Sequence, residues 1–160
     1  MHQPLSSNSN YELVRQQVKV MVDSNDWSIA ILSNVSALLN EFLTDINWVG
    51  FYLLRDGVLH LGPFQGKVAC TQIEIGKGVC GTAVEHRSTQ LVPNVHLFPG
   101  HIACDSASNS EIVIPFYIGD DLVGVLDIDS PLYNRFTLQD QKGLEAIVNE
   151  LKQLKSLSCL

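Results

Sequence analysis

The sequence predicts an α+β domain: a mainly antiparallel sheet of about six strands, with N- and C-terminal helices packed on one face. Three observations carry this reading. Apolar residues recur at helical spacing at both ends of the chain, and the middle is a run of β-branched and aromatic segments. Glycine-bearing turns punctuate that run at short intervals. A chain of 160 residues, 46% of them hydrophobic, buries about two-thirds of its unfolded surface, enough for one core without metal or disulfide staples. Residues 1–160 are therefore expected to form a single domain, with 1–10 a flexible tail.

Taken in order, Tyr11, Val14, Val18, Met21 and Val22 form one apolar stripe, and Ile29, Leu32, Val35, Leu38, Leu39 and Phe42 form a second after Asp26. Asn47 to Leu54 reads as a strand, Arg55-Asp56-Gly57 as a turn, and Val58 to Gly62 as the returning strand. A third strand is expected over Val68 to Ile75. The segment GKGVCGTAVEH then turns into a short helix carrying Cys80, and Thr89 to Val92 reads as a short strand. Pro93 to Ser110, with two prolines and many small polar residues, reads as a long loop holding Cys104, of a length that is often functional. Glu111 to Ile118 and Leu122 to Ser130 form a second hairpin. Thr137 and Asp140 cap a final helix with Leu144, Ile147, Val148, Leu151 and Leu154 inward.

The charge balance excludes partners. With 10 basic and 17 acidic residues, net charge −7, a phosphate backbone is repelled, so nucleic acid is not an expected partner. The first residues, MHQPLSSNSN, have neither a cationic start nor an apolar run. No stretch approaches the ~18 apolar residues needed to span a bilayer. A cytosolic protein is expected, whose cysteines (Cys70, Cys80, Cys104 and Cys159) are kept reduced, so that any disulfide among them is transient.

Register supplies the first chemical feature. Ile112, Ile114, Phe116 and Ile118 alternate with Glu111, Val113, Pro115 and Tyr117, while Leu126 and Ile128 alternate with Val125, Asp127 and Asp129. If both apolar sets pack the helices, only equal-parity pairing works, because a slip of one residue would mix the faces. A three-residue loop satisfies this, pairing Ile118 with Leu122, Glu111 with Asp129 and Val113 with Asp127. The three acids then share the face away from the helices. Facing carboxylates about 5 Å apart repel by about 3 kcal/mol at an effective dielectric of about 20. Either water screens them, or they await a cation or share a proton. On the first strand Trp48 and Tyr52 flank Gly50 on one face. They read either as core rings or as the walls of a binding notch opened by the missing Gly50 side chain.

The cysteine spacing lacks the paired pattern of a structural zinc site, and His86, His96 and His101 are scattered over polar segments where histidines are usually solvated, so no metal is expected. Cys159, at the frayed end of the last helix, is expected to be inert. Cys70, Cys80 and Cys104 are candidates for a nucleophile and its partner, against the alternative that each is a small buried hydrophobe. Acids near Cys104, including Asp105, should raise its pKa and weaken it as a thiolate. The same acids suit chemistry in which a thiol attacks while a carboxyl group delivers a proton.

Taken together, NWVGFYLL, LGPFQGKVACTQIEIGKGVCGTA, HIACDSASNSEIVIPF and LVGVLDIDSP, in this order and spacing, closely resemble the free methionine-(R)-sulfoxide reductases, a family built on a single GAF domain. The likeness is strong over residues 47–140, and the flanking helices match in pattern. It implies a GAF fold, a buried pocket between sheet and loops, and reduction of free methionine (R)-sulfoxide instead of protein-bound residues. It further implies that Cys104 is the attacking thiol, Cys70 its resolving partner and Cys80 an auxiliary thiol. Glu111, Asp127 and Asp129 match the substrate-binding carboxylates, Trp48 the residue sheltering the methyl group, and Tyr52 a further pocket residue. The implied cycle runs through a sulfenic acid on Cys104 and a Cys70–Cys104 disulfide to reduction by thioredoxin and NADPH, with no bound cofactor. Such a bridge closes a loop of about 35 residues, worth roughly 4 kcal/mol in the chain-entropy model. The family acts against oxidative stress and is often homodimeric. Two other readings share the motifs: a non-enzymatic GAF sensor of a small ligand, and a peroxide-reactive thiol protein.

Overall fold

The computed structural model describes residues 7–102, 104 and 106–157. Cys159, expected to be inert, Asp105, expected to act on Cys104, and most of the expected tail lie outside those residues. Helices α1 (Ser7–Asp23) and α2 (Ser28–Phe42) open the chain, followed by strands β1 (Trp48–Arg55), β2 (Val58–Gly66) and β3 (Gln72–Glu74), helix α3 (Gly78–His86) and strand β4 (Gln90–Val92). Strands β5 (Ser110–Ile118) and β6 (Asp121–Ser130) and helix α4 (Leu138–Glu150) complete it. The six strands form one antiparallel sheet in the order β3-β2-β1-β6-β5-β4. Among the described residues, no helix is long and apolar enough to cross a membrane.

Strand alternation divides the sheet into two faces with different tasks. Val49, Phe51, Ile112, Ile114, Phe116, Leu126 and Ile128 are all buried and pack against α1, α2 and α4 in one core. The expected placement of the terminal helices on one face is therefore found. Tyr11 of α1 donates a 2.6 Å hydrogen bond to Asp140 of α4. A reciprocal capping box between Thr137 and Asp140 starts α4, satisfying backbone donors the first turn leaves open. The opposite face carries a second cluster in which Val79, Cys80, Ala83 and Val84 of α3 cover Trp48, Tyr52, Val113 and Val125. The sheet thus lies between the main core and a smaller one, and the smaller one holds the polar residues.

Pairing of β5 with β6 follows the expected register at its functional end: Glu111 lies opposite Asp129 and Val113 opposite Asp127. The turn differs. Ile118 pairs with Asp121 and Tyr117 with Leu122, with an irregularity after Phe116. A two-residue loop plus one bulged residue thus gives the same parity as the expected three-residue loop, because an extra residue on one strand shifts the ladder by one. β3 is also shorter than the expected 68–75 and spans only Gln72–Glu74. Thr71 still accepts from Leu61 N at 3.0 Å, but residues 67–70 leave the ladder, and two of their carbonyls are bonded elsewhere: Trp48 Nε1 donates to the Lys67 carbonyl at 3.1 Å and Tyr52 Oη to the Cys70 carbonyl at 2.9 Å.

The notch expected at Gly50 is filled. Phe64 of β2 pairs with Gly50, and its ring stacks on Trp48 with centroids 5.2 Å apart. A methyl group at Gly50 would lie 2.3 Å from Phe64 Cβ and 2.8 Å from its Cα. Glycine is required here by close approach of two strands. Gly50→Ala should cost about 2–3 kcal/mol, as overpacking against backbone does, read as a lower urea midpoint with an unchanged slope. An unchanged midpoint would mean that the β1–β2 spacing is more pliable than described.

Candidate active site

Pairing across three adjacent central strands sets the site. Trp48 of β1, Asp129 of β6 and Glu111 of β5 form one cross-strand row, and Gly50, Asp127 and Val113 form the next. All three acids therefore point to the face under α3, where they line a cavity of about 40 Å³ with Trp48, Tyr52, Cys80 and Cys104. That volume admits one or two waters. Glu111 and Asp127 are each only 6% exposed, and Asp129 is half-buried.

Buried carboxyls this close cannot all be ionised, and the structure shows which yields. Burial, and then repulsion from Asp127 and Asp129, raise Glu111 well above the ordinary carboxyl range, and it hydrogen-bonds Asp127. Asp127 is also raised by burial, but bonds from Glu111 and Cys80 favour its charged form. Burial thus pushes both acids toward their protonated forms, Glu111 the more strongly, while the bonds to Asp127 favour its carboxylate. The interacting pair is diagonal across the ladder, whereas the sequence pointed to the directly facing Glu111 and Asp129. One oxygen, Asp127 Oδ1, is buried without a hydrogen-bond partner among the described residues, an arrangement that favours a donor or cation arriving in the cavity.

Among the described residues, the cysteines divide into a pair and a single thiol. Cys70 and Cys104 are joined in a disulfide with Cα atoms 5.5 Å apart, so the structure holds the oxidised form of the pair. Both are half-buried. Cys80 is buried and free, with its sulfur 4.0 Å from Glu111 Oε1. It is the third residue of α3, where the helix dipole favours an anion by ~0.5 kcal/mol. Burial, and then the charges of Asp127, Glu111 and Asp129, outweigh that and push the thiol well above its usual value. The acids therefore weaken Cys80, whereas the sequence pointed to Cys104.

Trp48 and Tyr52 are core rings that also border the cavity, with no notch at Gly50. They are 3% and 2% exposed, stack on each other at 5.8 Å, and still present surface to the cavity. Burial, and then nearby Asp127, raise the Tyr52 hydroxyl, which stays neutral and points to the Cys70 carbonyl. Tyr52 thus ties the wall to the strand end that carries a redox cysteine.

The Cys104 loop is anchored at its base. Val95 N donates to Asn109 O at 3.0 Å, Asn109 N to Ser130 O at 2.8 Å, and Asn109 Nδ2 to Pro131 O at 2.7 Å. Val95 is fully buried within a short 3-10 turn, Val95–Leu97. Some residues in and behind the pocket escaped the sequence reading. Phe64 backs Trp48, Ser108 lines the cavity and accepts a 3.1 Å bond from Asn47 Nδ2, and His101, expected to be solvated, lines the cavity beside Cys104. Burial and then His96 lower its pKa, favouring a neutral ring. Only the position of His101 three residues before Cys104 hinted at this.

The chain matches the family model described as GAF domain over residues 30–154. It is 57% identical over 126 residues to the free methionine-R-sulfoxide reductase of Escherichia coli (strain K12), covering 79% of this chain and 76% of that protein. Identity to the free methionine-R-sulfoxide reductase of Saccharomyces cerevisiae is 42% over 172 residues, covering 99% and 93%. Among solved structures, the fRMsr of Staphylococcus aureus in complex with substrate superposes with TM-score 0.86 at 52% identity, covering 97% of this chain and 99% of that one.

The shared proton has a consequence for stability. Glu111 has its folded pKa raised from an ordinary 4.5, so its stabilising contribution is complete below that value and is lost as pH rises toward the folded one. In that window the unfolded chain releases a proton the folded chain keeps, and stability falls by up to about 1.4 kcal/mol per pH unit. Glu111→Gln removes this slope. Urea unfolding from about pH 5 to about pH 8 should show the variant gaining on the parent as pH climbs; a constant difference would mean that Glu111 ionises normally.

Proposed function

The chain belongs to the GAF-domain family, and we propose from that membership and from the site that it is a free methionine-(R)-sulfoxide reductase, converting L-methionine (R)-S-oxide to L-methionine. The observation that carries this is the Cys70–Cys104 disulfide at the rim of an acidic, tryptophan-walled cavity. A pure binding module requires no such pair, and a peroxide-reactive thiol requires no pocket for an amino group.

In this reading the substrate ammonium is held by Asp127, whose Oδ1 lacks a partner among the described residues, and by Asp129. Trp48 shelters the methyl group, and Tyr52 completes the wall. Glu111, the carboxyl that keeps its proton, delivers it to the sulfoxide oxygen as the Cys104 sulfur attacks the sulfoxide sulfur. The oxygen passes to Cys104 as sulfenic acid, and methionine leaves with its sulfur reduced. Cys70 then displaces that oxygen as water, forming the disulfide. A thioredoxin dithiol, itself reduced by NADPH, returns both thiols, which assigns the protein to a reducing, cytoplasmic compartment. One GAF domain suffices for the cycle, and no bound cofactor enters it. Cys80 is an auxiliary thiol. An amino acid of this size exceeds a cavity of about 40 Å³, so substrate enters once reduction frees the Cys104 loop from Cys70.

A thioredoxin-coupled NADPH assay tests this. Turnover is expected with the free R epimer and not with the S epimer, with peptide-bound methionine sulfoxide or with peroxide. Cys104→Ser should lose at least about a thousandfold, the scale of removing a nucleophile. Cys70→Ser should still release about one methionine per enzyme but fail to turn over with thioredoxin. Full activity in Cys104→Ser would end this assignment.

A further inference from the structure

We propose that Cys80, Glu111 and Asp127 form a binding site for one thiophilic divalent cation of the zinc type, which blocks the pocket when it binds. The three side chains each offer one ligand atom, these atoms lie within 4.8 Å of one another, and all three residues are buried. An acid cluster alone would not make a site. Here Asp127 is only 6% exposed, lines the cavity, and keeps a buried Oδ1 without a hydrogen-bond partner among the described residues, so the cluster already contains an unpartnered carboxylate oxygen.

Donor chemistry and size select the occupant. One sulfur with two carboxylates suits zinc or cobalt, whereas magnesium and calcium take oxygen alone. Zinc bonds of about 2.3 Å to sulfur and about 2.0 Å to oxygen at a tetrahedral angle set sulfur and oxygen about 3.5 Å apart. The Cys80 sulfur and Glu111 Oε1 stand 4.0 Å apart, a small closure away. A cavity of about 40 Å³ has room for an ion and one water, and none for an amino acid. Asp129 and Cys104 line the same cavity, and in the reduced protein the Cys104 sulfur can take the remaining position. Binding is an exchange without redox change: the cation enters, the thiol proton of Cys80 and the carboxyl proton of Glu111 leave to water, and three metal–ligand bonds form. Cation and substrate ammonium then compete for Asp127. That competition rests on the reductase reading; the binding does not.

The test uses the disulfide-linked protein in a Cys159→Ser background, so that Cys80 is the only free thiol, titrated with Co²⁺ as a spectroscopic substitute for zinc. One ion per chain should bind with a sulfur-to-cobalt charge-transfer band, and Zn²⁺ should displace it. Cys80→Ser should abolish the band and weaken binding at least tenfold. Glu111→Gln should weaken binding similarly while keeping the band, and it decides the matter if Cys80→Ser does not fold. His96→Ala with His101→Ala should change neither. No band in the parent, a band surviving Cys80→Ser, an affinity indifferent to Glu111→Gln, or binding lost with the histidines would each overturn the site. No substrate is used, so failure here leaves the reductase assignment untouched.

Discussion

Pairing Glu111 with Asp129 and Val113 with Asp127 commits three carboxylates to one face of a sheet whose other face is the main core. That commitment cannot drift. Ile112, Ile114, Leu126 and Ile128, all at most 3% exposed, would have to enter the pocket if the register slipped by one. Exposing four such side chains costs several kcal/mol, more than the repulsion of about 3 kcal/mol between two partly shielded acids. The apolar face thus holds the acids together against their own repulsion, and the pocket inherits its geometry from the core behind it.

The repulsion is relieved by keeping Glu111 protonated and by placing α3 over the acids with Cys80 neutral. In the proposed reaction, a carboxyl whose pKa burial raises suits delivery of a proton to a sulfoxide oxygen, while the neighbouring carboxylate suits an ammonium. Two acids in one environment acquire different tasks because burial and mutual charge separate them. Trp48 and Tyr52 wall that environment on one side; Phe64, pressed on Gly50 at a distance no side chain would allow, stacks on Trp48. The strand spacing, the aromatic wall and the proton balance are therefore one mechanical system.

Much of this is legible in the sequence because alternation is a parity argument, and parity survives errors of detail. The acidic face follows from Ile112 to Ile118 and from Val125 to Asp129 even though the turn is a two-residue loop with a bulge, since both routes conserve which residues face the helices. What parity cannot reach is contact between distant segments. Phe64 enters the Gly50 gap through the β1–β2 bulge; residues 67–70 leave β3 as Trp48 and Tyr52 bond the Lys67 and Cys70 carbonyls. His101 lines the cavity because Val95 and Asn109 pin the loop base. Each is set by tertiary packing, and none leaves a local pattern. The diagonal Glu111–Asp127 pairing was missed for the same reason, since side-chain reach, not ladder position, decides it.

The third cysteine shows what the acids accomplish beyond binding. Cys80 and Cys104 both line the cavity, so an oxidised Cys104 would have two thiols within its surroundings, yet the disulfide joins it to Cys70. Thiolate, not thiol, attacks sulfur, and each unit by which a pKa is raised removes tenfold of the attacking form. Cys80 is pushed up by burial and by three carboxyls, whereas half-buried Cys70 stands in the 67–71 segment outside the acid row. In the proposed cycle, the acids that raise Glu111 therefore also weaken Cys80 as a competing thiol, which favours resolution by Cys70 and leaves the half-buried disulfide at the rim.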